Sequence, residues 1–356
     1  MSLYGVNVGQ AYNLVKLALS ADLVPHLISA PGVGKSATAK RIAKEFNLEL
    51  IDYRAAGGLP EDQSGLPWRD GEISRFLPFA EEFPIEGLTK VPEGKKGFLL
   101  FLDEIDAASR EMAASLYRLI YDREVGKKKL HSLTYIITAG NGQEHNAISN
   151  NHGTAMQSRM SHIRVLSDTK YWIEEVCPLI GIDYRVLAFI SAFPAKLNDF
   201  NPNHEDLSFC CERTWEAVSK ICKQFPSPDL PDWTIPLISG TITSGVGAEF
   251  VQFTQVFKSI PKFQDVVKDP LAIPVPDIPT LKWATICSLA QNLSGFKSDE
   301  PKKKDDVIEA CVKYVEQYPL TYQIVFGRLV VGLTPTIRTN PKFIKLLVKI
   351  NKDIND

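Results

Sequence analysis

The sequence predicts an α/β protein in which a parallel sheet with covering helices is followed by an all-helical region. In residues 1–166, short apolar runs typical of buried strands alternate with stretches of helical periodicity. This alternation is typical of parallel sheets with crossover helices. After residue 167 the strand pattern fades, and segments with helical periodicity follow one another. We therefore expect a sheet domain over residues 1–166 and a helical domain over residues 167–356.

A glycine-rich turn separates the first long predicted strand, residues 23–28, from a helix that continues to residue 46. Glycines let backbone N–H groups turn inward around an anion, and a helix N-terminus adds partial positive charge. Lys35 would then reach the β- and γ-phosphates of a nucleotide, and the Ser36 hydroxyl would bind Mg²⁺. Ser29 departs from the usual pattern, because it stands where the first glycine is expected. The predicted cradle consists of Pro31, Gly32, Val33, Gly34, Lys35, Ser36 and Ala37.

Polar side chains also follow two other predicted strands. The apolar run 97–102 ends in Asp103 and Glu104, and the run 133–138 leads to Asn141. Because ligand sites in open α/β sheets lie at the carboxyl ends of strands, we expect all three beside the glycine-rich turn. Asp103 would hold the Mg²⁺ shell and Glu104 would orient or deprotonate the attacking water. Asn141 could hydrogen-bond this water or the γ-phosphate; without such roles, the two acids would serve to cap the next helix.

Three further segments carry expectations of their own. Residues 54–84 are rich in glycine and proline and are too long for an ordinary connection, which indicates a functional insertion. Within it, residues 72–77 can form one arm of a hairpin after the turn at 69–71. Lysines 127–129 form a basic turn, which is either a solvated hairpin tip or a contact for a polymer or partner. The small residues of 238–247 predict a loop.

Arg159 lies where a predicted short helix, beginning near residue 153, runs into another strand. A planar guanidinium that stays charged and donates two parallel hydrogen bonds suits a γ-phosphate. Arg159 could therefore complete the site of a neighbouring subunit, or it could form a surface salt bridge.

The overall composition excludes some classes of function. The net charge of −2 argues against a generally basic nucleic-acid binder, although local patches remain possible. The six cysteines form no C-x-x-C pair and have no histidine at zinc spacing, as expected of reduced cysteines in a cytosolic protein. With no signal peptide and no apolar run long enough to span a bilayer, the expected location is the cytoplasm.

With these motifs in order, nearly the whole chain resembles a MoxR-type AAA+ ATPase of the helix-2-insert clade, from bacteria or phages. The matching stretches are Ala30-Pro-Gly-Val-Gly-Lys-Ser36 for Walker A, Gly65, Pro67, Gly71 and Pro78 for the insert (about 54–84), residues 101–107 for Walker B, residues 138–141 for sensor 1, residues 156–160 for the arginine-finger motif and Arg213 for sensor 2. The sensor 2 motif is more usually Ser-Pro-Arg; this chain keeps the arginine, Arg213, but has Cys211 and Glu212 before it.

The resemblance implies an αβα AAA+ core followed by a helical lid, in a hexameric ring with ATP and Mg²⁺ held between subunits. It makes Arg159 a finger that acts on the neighbour's nucleotide and makes Arg213 a lid residue that responds to the γ-phosphate. It also implies a chaperone-like remodeller of a client protein complex, with a von Willebrand factor A-domain partner. Two alternatives are a nucleotide-gated assembly scaffold and a nucleic-acid motor that uses the lysines at 127–129.

Overall fold

The computed structural model describes residues 4–77, 79, 82–142, 158–203, 206–298 and 300–355. The chain forms two compact units that separate after Ser167, and a short stretch at 201–203 belongs with the first. The boundary expected from the sequence was after residue 166. Within the described ranges, every helix is too short or too polar to cross a bilayer.

The first unit is built on a six-stranded sheet in which every neighbouring pair is parallel. The strands of this unit are β1 (Gly5–Val6), β2 (Val24–Ile28), β3 (Glu49–Arg54), β4 (Leu66–Asp70), β5 (Ile73–Leu77), β6 (Phe98–Asp103), β7 (Glu124–Val125), β8 (Lys128–Lys129), β9 (Thr134–Gly140) and β10 (Met160–Val165). The order in the large sheet is β1-β10-β2-β9-β6-β3. The carboxyl ends of β2, β6 and β9 therefore meet at one edge, and the predicted fold class is confirmed.

Helices cover both faces of this sheet. The helices of the first unit are α1 (Val8–Ser20), α2 (Lys35–Phe46), α3 (Pro60–Ser64) and α4 (Arg110–Tyr121). In β6, Leu99 and Phe101 pack into the cluster that contains α1 and α2, whereas Leu100 and Leu102 pack into the cluster that contains α4. Because both faces are buried, β6 is continuously apolar, as a strand inside a parallel sheet is expected to be.

The second unit is helical, as predicted. It begins with a helical run over 169–180 that includes a π-helical stretch at Trp172–Val176. The main helices that follow are Tyr184–Ala192, Glu212–Cys222, Ile235–Thr241, Ser244–Phe253, Phe263–Lys268, Pro279–Gly295, Pro301–Val315, Leu320–Leu333 and Pro341–Asn355. Its core contains an aromatic cluster in which the rings of Phe189, Trp215 and Phe250 are in mutual contact.

The prediction of a loop at 238–247 is wrong. This segment forms most of the helix Ile235–Thr241 and the start of the helix Ser244–Phe253. Gly247 packs so closely on Ser239 that a β-carbon there would come within 2.7 Å of the Ser239 backbone nitrogen. The small residues therefore allow the two helices to pack closely, and a turn is not what they are needed for.

The insertion after β3 contains the predicted hairpin. Strands β4 and β5 pair antiparallel, and Gly71 turns the chain between them with a positive φ of 64°. Every residue of both strands is exposed. The hairpin prediction is confirmed, and its second arm is Ile73–Leu77; Pro78, which the resemblance assigned to this insert, lies outside the described residues.

Candidate active site

The glycine-rich turn joins β2 directly to α2 and forms a cradle at the carboxyl edge of the sheet. Gly32 and Gly34 have φ values of 85° and 111°, a left-handed backbone that favours glycine. Helix α2 then begins at Lys35, so its N-terminus opens toward the turn. Such an arrangement of backbone amides and a helix N-terminus is suited to bind an anion.

The Lys35 side chain is buried and lies among polar acceptors. Its Nζ donates to Asn141 Oδ1 at 2.8 Å and to Ser29 Oγ at 3.0 Å. The structure thus brings together the cradle lysine and the asparagine that follows β9, as the sequence predicted. Ser29, which replaces the usual glycine, offers Lys35 a hydroxyl that a glycine would not have.

Ser36 and Asp103 also meet at this edge. Ser36 Oγ donates to Asp103 Oδ2 at 3.2 Å, and the Glu104 amide donates to Asp103 Oδ1 at 2.9 Å. A hydroxyl and a carboxylate side by side are the oxygen ligands that hard cations prefer, so these residues fit Mg²⁺. Glu104 has a φ of 55°, an uncommon conformation for a residue with a side chain, and this turn ends β6 abruptly at the edge.

Asp106 also lies at this edge, but it was not singled out from the sequence. Its Oδ2 accepts a hydrogen bond from the Gly142 amide at 3.2 Å, and the carboxylate lies against Gly140. The only signals in the sequence were a third acid after Asp103 and Glu104 and a glycine on each side of Asn141. Neither signal shows that these segments touch.

Arg159 lies on the opposite side of the same sheet from the cradle, at the amino ends of the strands. The next residue, Met160, pairs with Val24 at the amino end of β2, whereas the cradle follows the carboxyl end. The Arg159 guanidinium lies over the rings of Tyr121 and Tyr117, with distances of 3.9 and 5.0 Å from its central carbon to the ring centroids. The preceding part of the predicted finger motif, residues 156 and 157, lies outside the described residues.

Arg213 and the lysines of the predicted basic turn are exposed. Arg213 lies in the first turn of the helix Glu212–Cys222, in the second unit. The predicted basic turn is the hairpin of β7 and β8, in which Lys129 pairs with Glu124 at 2.7 Å. Lys127 and Lys128 are exposed at its tip.

A phosphate cradle between β2 and α2, with acids after β6 and an asparagine after β9, defines the P-loop class of nucleotide-binding proteins. Residues 26–151 match the family described as the ATPase family associated with various cellular activities (AAA). The matched segment makes up roughly a third of the chain. It contains the cradle, Asp103, Glu104 and Asn141.

Among solved structures, the chain is similar to RuvB from Thermotoga maritima, titled a Holliday junction branch migration motor. The identity is 15%, with 84% of this chain and 85% of that chain covered and a TM-score of 0.39. A mutant of the same RuvB gives 16% identity, 88% coverage of each chain and a TM-score of 0.40. NtrX from Brucella abortus in complex with ADP gives 14%, coverage of 99% and 69%, and a TM-score of 0.35. Likeness at this level carries no information on activity. No curated protein matches the chain.

Proposed function

We propose that the protein is an ATP-hydrolysing AAA+ ring protein of MoxR type that remodels a client protein complex. The observation that carries the hydrolytic part is the convergence of Lys35, Asn141, Ser36 and Asp103 at the edge where Glu104 also lies. The remodelling part rests on the resemblance of the motifs and of the insertion after β3 to that family.

Phosphoryl transfer requires from the protein mainly positioning and stabilisation of charge. Lys35 and the amides of the cradle would hold the phosphates. Ser36 and Asp103 would hold Mg²⁺, which neutralises charge on phosphate oxygens when it is bound. Glu104 would orient or deprotonate the attacking water, and Asn141 would hydrogen-bond the water or the γ-phosphate.

The position of Arg159 supports a role in a neighbouring subunit. Strand β2, from Val24 to Ile28, runs from the side near Arg159 to the cradle. At about 3.3 Å per residue, it separates the two by roughly 13 Å. A subunit would therefore not use its own Arg159 at its own cradle. A head-to-tail ring, expected here to be a hexamer, joins opposite surfaces of successive subunits and could bring Arg159 to the neighbour's nucleotide. Arg213, which belongs to the helical unit, would respond to the γ-phosphate of the bound nucleotide.

The Glu104→Gln variant tests the hydrolytic assignment. We expect kcat for ATP hydrolysis to fall by about 10²–10⁴-fold, because a positioned general base contributes this much. Nucleotide affinity should stay close to that of the wild type. Glu111→Gln, on the exposed side of α4, is the matched control and should hydrolyse ATP normally. Normal turnover by Glu104→Gln would show that Glu104 is not the base.

Mixing two inactive variants tests whether Arg159 acts in trans. Arg159→Ala should bind ATP but lose almost all turnover, since an arginine finger contributes about 10³–10⁵-fold. Arg159→Ala subunits keep Glu104, and Glu104→Gln subunits keep Arg159. When equal amounts of the two variants assemble at random, about a quarter of the interfaces should combine an intact Glu104 with an intact Arg159. These interfaces should regain activity. Retained hydrolysis by Arg159→Ala alone, or no recovery on mixing, contradicts the assignment.

The partner and the client remain proposals that follow from the resemblance. A cytoplasmic hexamer with a von Willebrand factor A-domain partner would hold both partner and client most tightly in the ATP-bound state. Glu104→Gln charged with ATP should therefore retain an A-domain protein that the same variant releases with ADP. Identical retention with the two nucleotides would contradict this proposal. A nucleotide-gated scaffold would instead show slow single turnover that its partner does not stimulate.

The exposed Lys127 and Lys128 favour one second candidate, a nucleic-acid motor. Phosphate contacts by lysine make binding depend strongly on salt. ATPase activity should then rise with DNA or RNA, and the rise should decline over a salt series. The double change Lys127→Ala with Lys128→Ala should abolish the stimulation, whereas Lys302→Ala, on a different surface helix, should not. Absence of any stimulation removes this candidate.

A further inference from the structure

We propose that Asp106 is a positioning residue that fixes Asn141 relative to Glu104, an inference that rests on the proposed hydrolytic function. Asp106 is only 7% exposed and lies in the short 3₁₀ turn Ile105–Ala107, immediately after Glu104. Its carboxylate contacts the residues on both sides of Asn141. The acid would thus act through the asparagine without touching the nucleotide.

The contact with the asparagine segment is unusually close. On one side of Asn141, the Gly142 amide donates to Asp106 Oδ2 at 3.2 Å. On the other side, a β-carbon added to Gly140 would lie 1.8 Å from the same oxygen. A carboxylate whose oxygen packs against Gly140 and accepts from Gly142 limits the backbone positions open to Asn141, the residue between them.

Asp106 also lies close to a buried histidine of strand β2. Its Oδ1 lies 3.9 Å from Nε2 of His26, which is buried in β2. The other ring nitrogen of His26 shares a hydrogen bond of 2.9 Å with Thr138 Oγ1, on β9. The carboxylate therefore lies where the end of β6 meets β2 and β9, the strands that lead into the cradle and into Asn141.

This geometry has a consequence for catalysis because Glu104 and Asp106 belong to the same tight turn. A carboxylate that holds the asparagine segment also sets the distance between the water-activating Glu104 and Asn141. Asn141 in turn accepts from Lys35, so one acid connects three of the groups that would surround the γ-phosphate. A misplacement of about 1 Å among such groups can cost about 10²-fold in rate.

Asp106→Ala should lower kcat for ATP by about 10²-fold while the nucleotide affinity, which depends mainly on the cradle, changes little. Asp106→Asn keeps a carbonyl oxygen that can accept from Gly142 and should recover most of the lost rate. Thr134→Val is the matched control, because it removes a buried hydroxyl at the far end of the same strand β9. A parallel loss of kcat and of affinity in Asp106→Ala, or no recovery in Asp106→Asn, overturns the positioning role.

Two double-variant comparisons separate positioning from general loss of stability. In the Asn141→Ala background, Asp106→Ala should cost little further rate, because a residue that acts through Asn141 has nothing left to position. Gly140→Ala should reduce kcat in the wild type but much less in the Asp106→Gly background, where the clashing atoms are absent. Fully additive losses in both comparisons contradict the inference.

A measurement that does not use ATPase activity tests the same contact. Hydrogen–deuterium exchange of peptides covering residues 138–142 should be faster in Asp106→Ala than in the wild type, and unchanged there in Thr134→Val. If the wild type does not hydrolyse ATP, the proposed function fails and the exchange contrast still decides whether Asp106 holds this segment. If the wild type hydrolyses ATP and Asp106→Ala matches it in both kcat and exchange, this inference alone fails.

Discussion

The phosphate cradle and the hairpin of β4 and β5 belong to the same unit, yet their side chains are held in opposite ways. In the cradle, Lys35 is buried and donates hydrogen bonds at 2.8 and 3.0 Å to groups from two other segments. In the hairpin, even Trp68 is 60% exposed and Ile73 is 54% exposed. The cradle is thus positioned by the sheet beneath it. The hairpin derives its shape from its own ladder, and an isolated two-stranded ribbon is only marginally stable.

The base of the hairpin explains how such an exposed element stays in place. The Tyr53 hydroxyl, at the end of β3, donates to Asp62 Oδ2 at 2.6 Å. Burial, and then the nearby Asp62 carboxylate, raise the pKa of Tyr53 well above its usual range. Gly126 approaches Gln63 so closely that a β-carbon there would lie 2.8 Å from its carbonyl oxygen. The chain is therefore fixed before β4, while the residues of both strands are exposed.

The largest expected difference between the two regions is in stability. Phe101→Ala removes a fully buried ring from β6, beneath the cradle, and should lower the free energy of unfolding by about 3–5 kcal/mol. Trp68→Ala removes a larger side chain but an exposed one, and should change it by less than about 0.5 kcal/mol. Urea denaturation of the two variants measures both values. A cost for Trp68→Ala similar to that for Phe101→Ala would mean that the hairpin is packed.

A smaller difference is expected in nucleotide affinity. Lys35→Ala removes a charged donor from the cradle, and a hydrogen bond to a charged group contributes about 1.5–3 kcal/mol. The Kd for ATP should therefore rise by roughly 10- to 150-fold. Lys40→Ala, on the exposed face of the same helix α2, is the matched control, and Trp68→Ala should also bind normally. Equal losses in Lys35→Ala and Lys40→Ala would mean that the net charge of the helix, and not the cradle, determines affinity.

The sequence predicted the phosphate cradle and its strands better than it predicted packing contacts between segments. The run 97–103 was interpretable because a strand buried on both faces must be apolar throughout, and its terminal acids then fall at the ligand edge. Asp106 could not be identified in this way, because its contact with Gly140 depends on the pairing of β6 with β9 and leaves no local pattern. Gly247 was misinterpreted because a glycine needed for close packing looks the same in sequence as one needed for a turn.

The smallest effect concerns Ser29, the departure from the usual phosphate-loop pattern. Ser29 is only 2% exposed, and its hydroxyl accepts from Lys35 in this structure. A nucleotide phosphate would compete for the same donor. Lys35 also donates to the Ser29 backbone oxygen and to Asn141, which remain when the hydroxyl is removed, so the net loss should not exceed that of an ordinary hydrogen bond, about 0.5–1.5 kcal/mol. Ser29→Gly should therefore tighten ATP binding by about 2- to 10-fold. Ser29→Ala is the matched control, since it removes the hydroxyl without adding the backbone freedom of glycine, and it should give the same shift in a titration with labelled nucleotide. Weaker binding in Ser29→Ala would mean that the hydroxyl supports the bound state of Lys35, and Ser29 would then belong to the cradle itself.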